Sequence, residues 1–160
     1  MTTPMTSDSE GLTHAALVAK AANWLDSKCN VVLPEFFTHN AELPDVIGFS
    51  SRAESHMIEC KASRADYLRD KKKTFRMWSE KGMGDYRYYC CPKDLIKEDE
   101  IPDGWGLIYV YPSGHTRRVV HALRLNKNIE AEHYLLYYYA RRAVFAGVHS
   151  SVLAYRGYDQ

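Results

Sequence analysis

At 160 residues, with 46% hydrophobic and 26% charged residues and a formal net charge of +1, the chain has the size and composition of one ordinary globular domain. That excludes a disordered or fibrous chain, and no run of apolar residues is long enough to mark a membrane span. Cys29, Cys60, Cys90 and Cys91 form no CxxC pair and no His/Cys cluster at zinc spacing, which argues against a disulfide framework or zinc site and for a reducing cytoplasm.

Residues 1–11, MTTPMTSDSEG, read as a flexible tail without the basic and apolar stretches of a leader, and 12–160 as a single domain. A helix is expected over 12–28, with Ala15, Val18, Ala22 and Leu25 on its apolar stripe. Strands are expected at 31–37, 45–49 and 56–61, separated by the turn-forming HNAELP and SSRAES, as an antiparallel meander. Ser63 with Asp66 three residues on forms a capping box, so a second helix should run from there to about Lys81, with Leu68, Phe75 and Trp78 on its apolar side and Gly82 and Gly84 ending it. A strand follows at 86–91, closed by Pro92. A C-terminal hairpin over 105–111 and 116–121 and a helix over 129–147 complete the chain. Helix, three strands, helix, strand is an α/β order in which helices flank a mixed sheet.

The chemistry gathers on the meander. Pro44-Asp45 opens its second strand and Glu59-Cys60-Lys61 closes its third. With a side-chain period of two, Glu59 and Lys61 share one face and Cys60 points to the other, and a hairpin pairing brings Asp45 beside Glu59. Two carboxylates so placed repel unless a cation lies between them, and hard oxygen ligands suit Mg²⁺ or Mn²⁺. Such an ion activates water and neutralises phosphoryl charge, while a nearby lysine steadies the transition state. Taken singly, Asp45 would be a turn residue, and Glu59 with Lys61 a solvated ion pair. Their coincidence argues for a phosphodiester hydrolase.

The segment PDVIGFSSRAESHMIECKAS resembles the signature of the PD-(D/E)XK nuclease superfamily, whose restriction-endonuclease-like core is built as αβββαβ. ECKASRADYLRDKK, followed by DYRYYCCP and IPDGWGLIYV, is similar to the MmcB-like DNA-repair branch and related phage-borne nucleases. The resemblance spans roughly Leu12 to Val110. It implies Asp45 and Glu59 as metal ligands with the carbonyl of Cys60, Lys61 as the catalytic lysine, and Mg²⁺ or Mn²⁺ as cofactor. It also implies DNA as partner, no membrane, and a possible homodimer. Many members carry a further Glu in the first helix. Here that helix has none, and Glu35 is the better accessory acid, with Glu42 behind it.

Arg69, Lys72, Lys73 and Arg76 fall at helical spacing on one stripe of the second helix, close to Arg64. From Lys61 to Lys81, eight basic residues face three acids, in a chain whose total charge is only +1. A solvated face is the ordinary meaning of such a stripe, but its position beside Lys61 fits a track for a phosphate backbone. The helix N-terminus at Ser63 would add free N–H groups. Tyr86, Tyr88 and Tyr89 read as core on at least one sheet face. Competing readings are a non-cleaving DNA-binding adaptor on the same fold and an RNA-processing nuclease.

Overall fold

Thr13 caps the first helix, α1 (His14–Asp26), its side chain accepting from the N–H of Ala16 at 3.2 Å. The computed structural model describes residues 11–35 and 43–147. Leu17, Val18, Ala21 and Leu25 form the buried stripe of α1. Ala15 is exposed and Ala22 only half-buried, so the core face is rotated from the expected one toward Leu17 and Ala21.

Strands β1 (Val31–Pro34), β2 (Val46–Phe49) and β3 (Ser55–Cys60) form the expected antiparallel meander. The described part of β1 ends at Pro34, and residues 36–42, Glu42 among them, lie outside the described residues. β4 (Tyr86–Pro92) and β5 (Gly106–Val110) add in parallel, and β6 (Thr116–Val120) returns antiparallel, giving a six-stranded mixed sheet in the order β1-β2-β3-β4-β5-β6. Parallel neighbours need a crossover, and the segment between β3 and β4 supplies one.

The sheet is buried on both faces, and alternate residues divide between two cores. Ile58, Cys60, Tyr88, Cys90 and Ile108 pack with α1. Met57, Tyr89, Cys91, Leu107 and Tyr109 pack on the other face with Tyr67, Trp105 and Leu135. Tyr88 and Tyr89 are therefore both core, on opposite faces. At Gly48 the α1 side lies so near that an added Cβ would fall 2.7 Å from the Cys29 sulfur, a close approach only glycine permits.

The crossover is not the single helix expected. α2 (Arg64–Asp70) begins at Ser63, whose hydroxyl accepts from the N–H of Asp66 at 3.3 Å, and it stops after seven residues. A one-turn helix α3 (Thr74–Met77) and a 3-10 turn over Ser79–Lys81 follow. A continuous helix would set Asp70 and Arg76 about 120° apart around its axis and about 9 Å apart along it, at roughly 100° and 1.5 Å per residue. Instead their side chains pair in the interior, Arg76 Nε to Asp70 Oδ2 at 2.7 Å. The run Lys71-Lys72-Lys73 spans the break. Leu68 and Trp78, expected on an apolar side, are exposed, and Tyr67, Asp70 and Arg76 are buried in their place.

The last helix, α4 (Ile129–Phe145), buries only Glu132 and Leu135. Among the described residues, no helix is long and apolar enough to cross a membrane.

Candidate active site

Val46 pairs with Ile58 in the β2–β3 register, so one step further Asp45 stands opposite Glu59. Asp45 Oδ2 accepts from the N–H of Cys60 at 2.7 Å, which locks the carboxylate to the neighbouring strand. The side chains of Glu59 and Lys61 meet on one face, Nζ to Oε2 at 3.2 Å, while Cys60 packs into the α1-side core. Asp45, Glu59, Cys60 and Lys61 thus line one open cleft of about 310 Å³, which Asp70 and Lys73 also border.

The expected repulsion between the carboxylates is relieved by the chain's own cations. Glu59 Oε2 faces Lys61, and Oε1 faces Arg76 Nη2 at 3.1 Å. Asp70, buried behind them, takes Lys61 Nζ at 3.3 Å and Lys73 Nζ at 2.9 Å on Oδ1, with Arg76 Nε on Oδ2. The Tyr89 hydroxyl donates to Asp70 Oδ2 at 2.6 Å, and the Arg76 guanidinium lies 4.9 Å from the centre of the Trp105 ring.

Burial pushes the Glu59 carboxyl upward from the ordinary carboxylate value, against the pull of Arg76 and Lys61. Burial alone would lower Lys61, but Glu59 and Asp70 outweigh it and raise the ammonium above its ordinary value, so it stays charged. For Asp70, burial is likewise overcome, here by the hydrogen bond and charge of Arg76, and its carboxyl is held well below the usual range.

Glu35 lies just past β1 in the left-handed region (φ 44°), and its N–H donates to the carbonyl of Asp45 at 2.7 Å. His14, from the first turn of α1, bridges the two acids, with Nε2 3.3 Å from Glu35 Oε1 and 3.4 Å from Asp45 Oδ1. The first helix, which lacks a glutamate, reaches the cleft through this histidine.

The basic stripe does not exist as expected, because the helix carrying it is broken. The Arg76 side chain is 1% exposed and faces inward. Arg69 is 78% exposed at the cleft rim, paired with Asp66. Lys72 is exposed and Lys73 is half-exposed beside Asp70. Arg64 turns away to Glu100 and the carbonyl of Leu95. The helix that follows the Ser63 cap is only seven residues long, too brief for a substantial dipole.

Sequence reasoning missed His14, Asp70 and Tyr89 and misplaced Arg76. Asp70 and Arg76 are six residues apart, a spacing with no meaning on a continuous helix. Only the break at Lys71–Lys73 brings them together.

Among the described residues, no group of three or more His, Cys, Asp or Glu side chains is arranged to hold a metal ion by itself. A divalent cation would therefore draw on Asp45, Glu59 and backbone or water oxygens. That donor set fits a hard cation, because each carboxylate offers more lone pairs than its present partners use.

No family model matches the chain, and no curated protein matches it. A solved structure described as SPO1766, a protein of unknown function from Silicibacter pomeroyi, is similar over 97% of this chain and 100% of its own, with TM-score 0.62 and 21% identity. At that identity the likeness concerns the fold alone.

Proposed function

We propose that the protein is a metal-dependent nuclease that hydrolyses DNA phosphodiester bonds, in repair, recombination or phage and mobile-element biology. The observation that carries this reading is the convergence of Asp45, Glu59 and Lys61 in one open cleft. The order α1, β1, β2, β3, α2, β4 supports it as a restriction-endonuclease-like core. Asp45, Glu59 and the Cys60 carbonyl would hold Mg²⁺ or Mn²⁺, which supplies an activated water and neutralises phosphoryl charge.

The remaining work falls to side chains. Asp45, tied to the Cys60 N–H, keeps one oxygen turned toward His14 and the cleft. Glu59 is fixed by two cations and so is preorganised rather than mobile. The Lys61 ammonium, charged and held between carboxylates, is placed to steady negative charge developing on a phosphoryl oxygen.

A second reading has its own observation. Because Lys61 and Arg76 already neutralise Glu59, the site is electrostatically complete without a metal, as a DNA-binding adaptor would be. One assay separates the two: incubation with supercoiled, linear, single-stranded and branched DNA, and with RNA, in Mg²⁺, Mn²⁺ or EDTA. Cleavage that depends on the metal and is lost in Asp45→Asn supports the nuclease. Binding to DNA without cleavage under every condition supports the adaptor.

A further inference from the structure

Four buried charged side chains beside the cleft close into a ring of alternating sign. Lys61 meets Glu59 at 3.2 Å, Glu59 meets Arg76 at 3.1 Å, Arg76 meets Asp70 at 2.7 Å, and Asp70 returns to Lys61 at 3.3 Å. Each charge therefore lies between two of opposite sign, and the ring is neutral. Two of its members belong to the Glu-x-Lys strand end, and two come from the broken crossover.

The two halves of the ring are not equivalent. Asp70 is fixed from behind by both Nε and Nη2 of Arg76, the latter at 3.1 Å from Oδ1, and by the Tyr89 hydroxyl at 2.6 Å. Arg76 in turn lies over Trp105. A guanidinium held by a carboxylate fork and an aromatic face has little freedom, whereas a lysine ammonium on its four-carbon stem has many orientations. The rigid half of the ring is thus the part that the sequence motif does not contain.

We propose that Asp70 is a positioning residue for Lys61: with Arg76 occupying Oε1 of Glu59, Asp70 holds the Lys61 ammonium at the cleft wall. The ammonium donates to Glu59 and pairs with the charge of Asp70, which leaves it donor capacity for substrate. Without the Asp70 charge, the ammonium loses its ion pair on that side, and Arg76 is freed to compete for Glu59. This rests on the nuclease reading of the same site.

The test is a double-mutant cycle on the full chain, using single-turnover cleavage of a DNA duplex with Mg²⁺ and enzyme in excess. Asp70→Asn keeps the shape and removes the charge. It should lower the maximal rate about 10–100-fold, the range for groups that orient those contacting the reacting atoms. The DNA concentration and Mg²⁺ concentration giving half-maximal rate should stay within about twofold of the parent, because Asp70 is engaged by Lys61, Lys73, Arg76 and Tyr89 and is not among the groups proposed to hold the ion. In a Lys61→Ala background the same change should alter the residual rate by less than about twofold, since the group it positions is gone.

Tyr89→Phe removes one neutral donor from Asp70 and leaves every charge in place, so it tests the same link if Asp70→Asn does not fold. It should lower the maximal rate several-fold, again only when Lys61 is present. Equal losses with and without Lys61, or parental rates in both single variants, overturn the inference while leaving the nuclease reading intact. A parent protein that never cleaves overturns that reading, and the positioning role with it.

Discussion

The molecule contains two buried polar networks, and they are built differently. On one side, Asp85 and Glu132 clamp α4 to the sheet through Ser55 and Lys127. Asp85 Oδ2 accepts from the Ser55 N–H at 2.9 Å and Lys127 Nζ at 2.6 Å, and Glu132 Oε1 accepts from the Gly84 N–H at 2.8 Å. On the other side, Glu59 and Asp70 are held by side chains: Lys61, Lys73, Arg76 and Tyr89. Backbone donors cannot be exchanged for a ligand without unfolding the strand that carries them, but a lysine ammonium can swing aside. The groove beside the clamp is the larger, about 750 Å³, yet Asp85 and Glu132 in it are engaged by backbone donors. In the smaller cleft, Asp45 is tied to the backbone at Cys60, while Glu59 and Asp70 are held by side chains that a ligand can displace.

The largest expected effects come from making one substitution, Asp to Asn, in each region. Asp45→Asn should slow cleavage about 10²–10³-fold, the usual loss when one electrostatic group at a reacting centre is removed. Its thermal midpoint should barely move, since an amide oxygen still accepts from Cys60. Asp85→Asn should do the reverse. It leaves Lys127 and Arg124 facing a neutral side chain and should destabilise by about 3 kcal/mol, at the lower end for breaking a buried pair. Its cleavage rate per folded molecule should be unchanged. Urea unfolding and single-turnover cleavage on both variants check the pair, and matching losses in both would erase the distinction.

Acid should weaken both networks. Burial alone would raise Asp85, but Lys127 and the Ser55 N–H outweigh it, and Arg76 does the same for Asp70, so both folded-state values lie below ordinary. A depressed folded value means the unfolded chain takes up the proton first. The stabilisation is therefore complete above the unfolded value near 3.9 and lost as pH falls through the lower folded values. Urea midpoints should hold from about pH 7 to pH 5 and drop below about pH 4, and Asp70→Asn and Asp85→Asn should each flatten that drop. An unchanged acid limb in either variant would mean its carboxylate carries no such linkage.

What could be read beforehand followed from local chemistry. Alternation fixed the meander, the Ser63–Asp66 cap fixed the start of α2, and strand parity put Glu59 and Lys61 together with Cys60 opposite. The misses arose where tertiary charge pairing overrode helical spacing. Leu68, Trp78 and Arg76 keep a helical period in the sequence, but pairing Arg76 with Asp70 and Glu59 breaks the helix and rotates that period out of meaning. His14 gave no signal either. A lone histidine in the first turn acquires a role only because the end of β1 and the start of β2 bring Glu35 and Asp45 to it.

The smallest effect tests the surfaces around the two networks rather than the networks themselves. Arg69 stands exposed on the rim of the cleft, paired with Asp66 at the surface. Arg124, 60% exposed, sits beside the clamp and pairs with Asp85 and, at 3.8 Å, with Glu54. If DNA lies along the cleft, Arg69 on its rim neutralises a phosphate and releases a counterion, while Arg124 lines the groove beside the clamp and not the cleft. Arg69→Gln should then reduce the magnitude of the slope of log affinity against log salt by about 0.9 and weaken binding to all duplex sequences alike. Arg124→Gln should leave the slope where it was. Fluorescence anisotropy on a labelled duplex between about 50 and 200 mM salt resolves a difference of that size. A slope lowered equally by both changes would make the binding a general attraction to positive charge, and one lowered only by Arg124→Gln would move the DNA path to the α4 side.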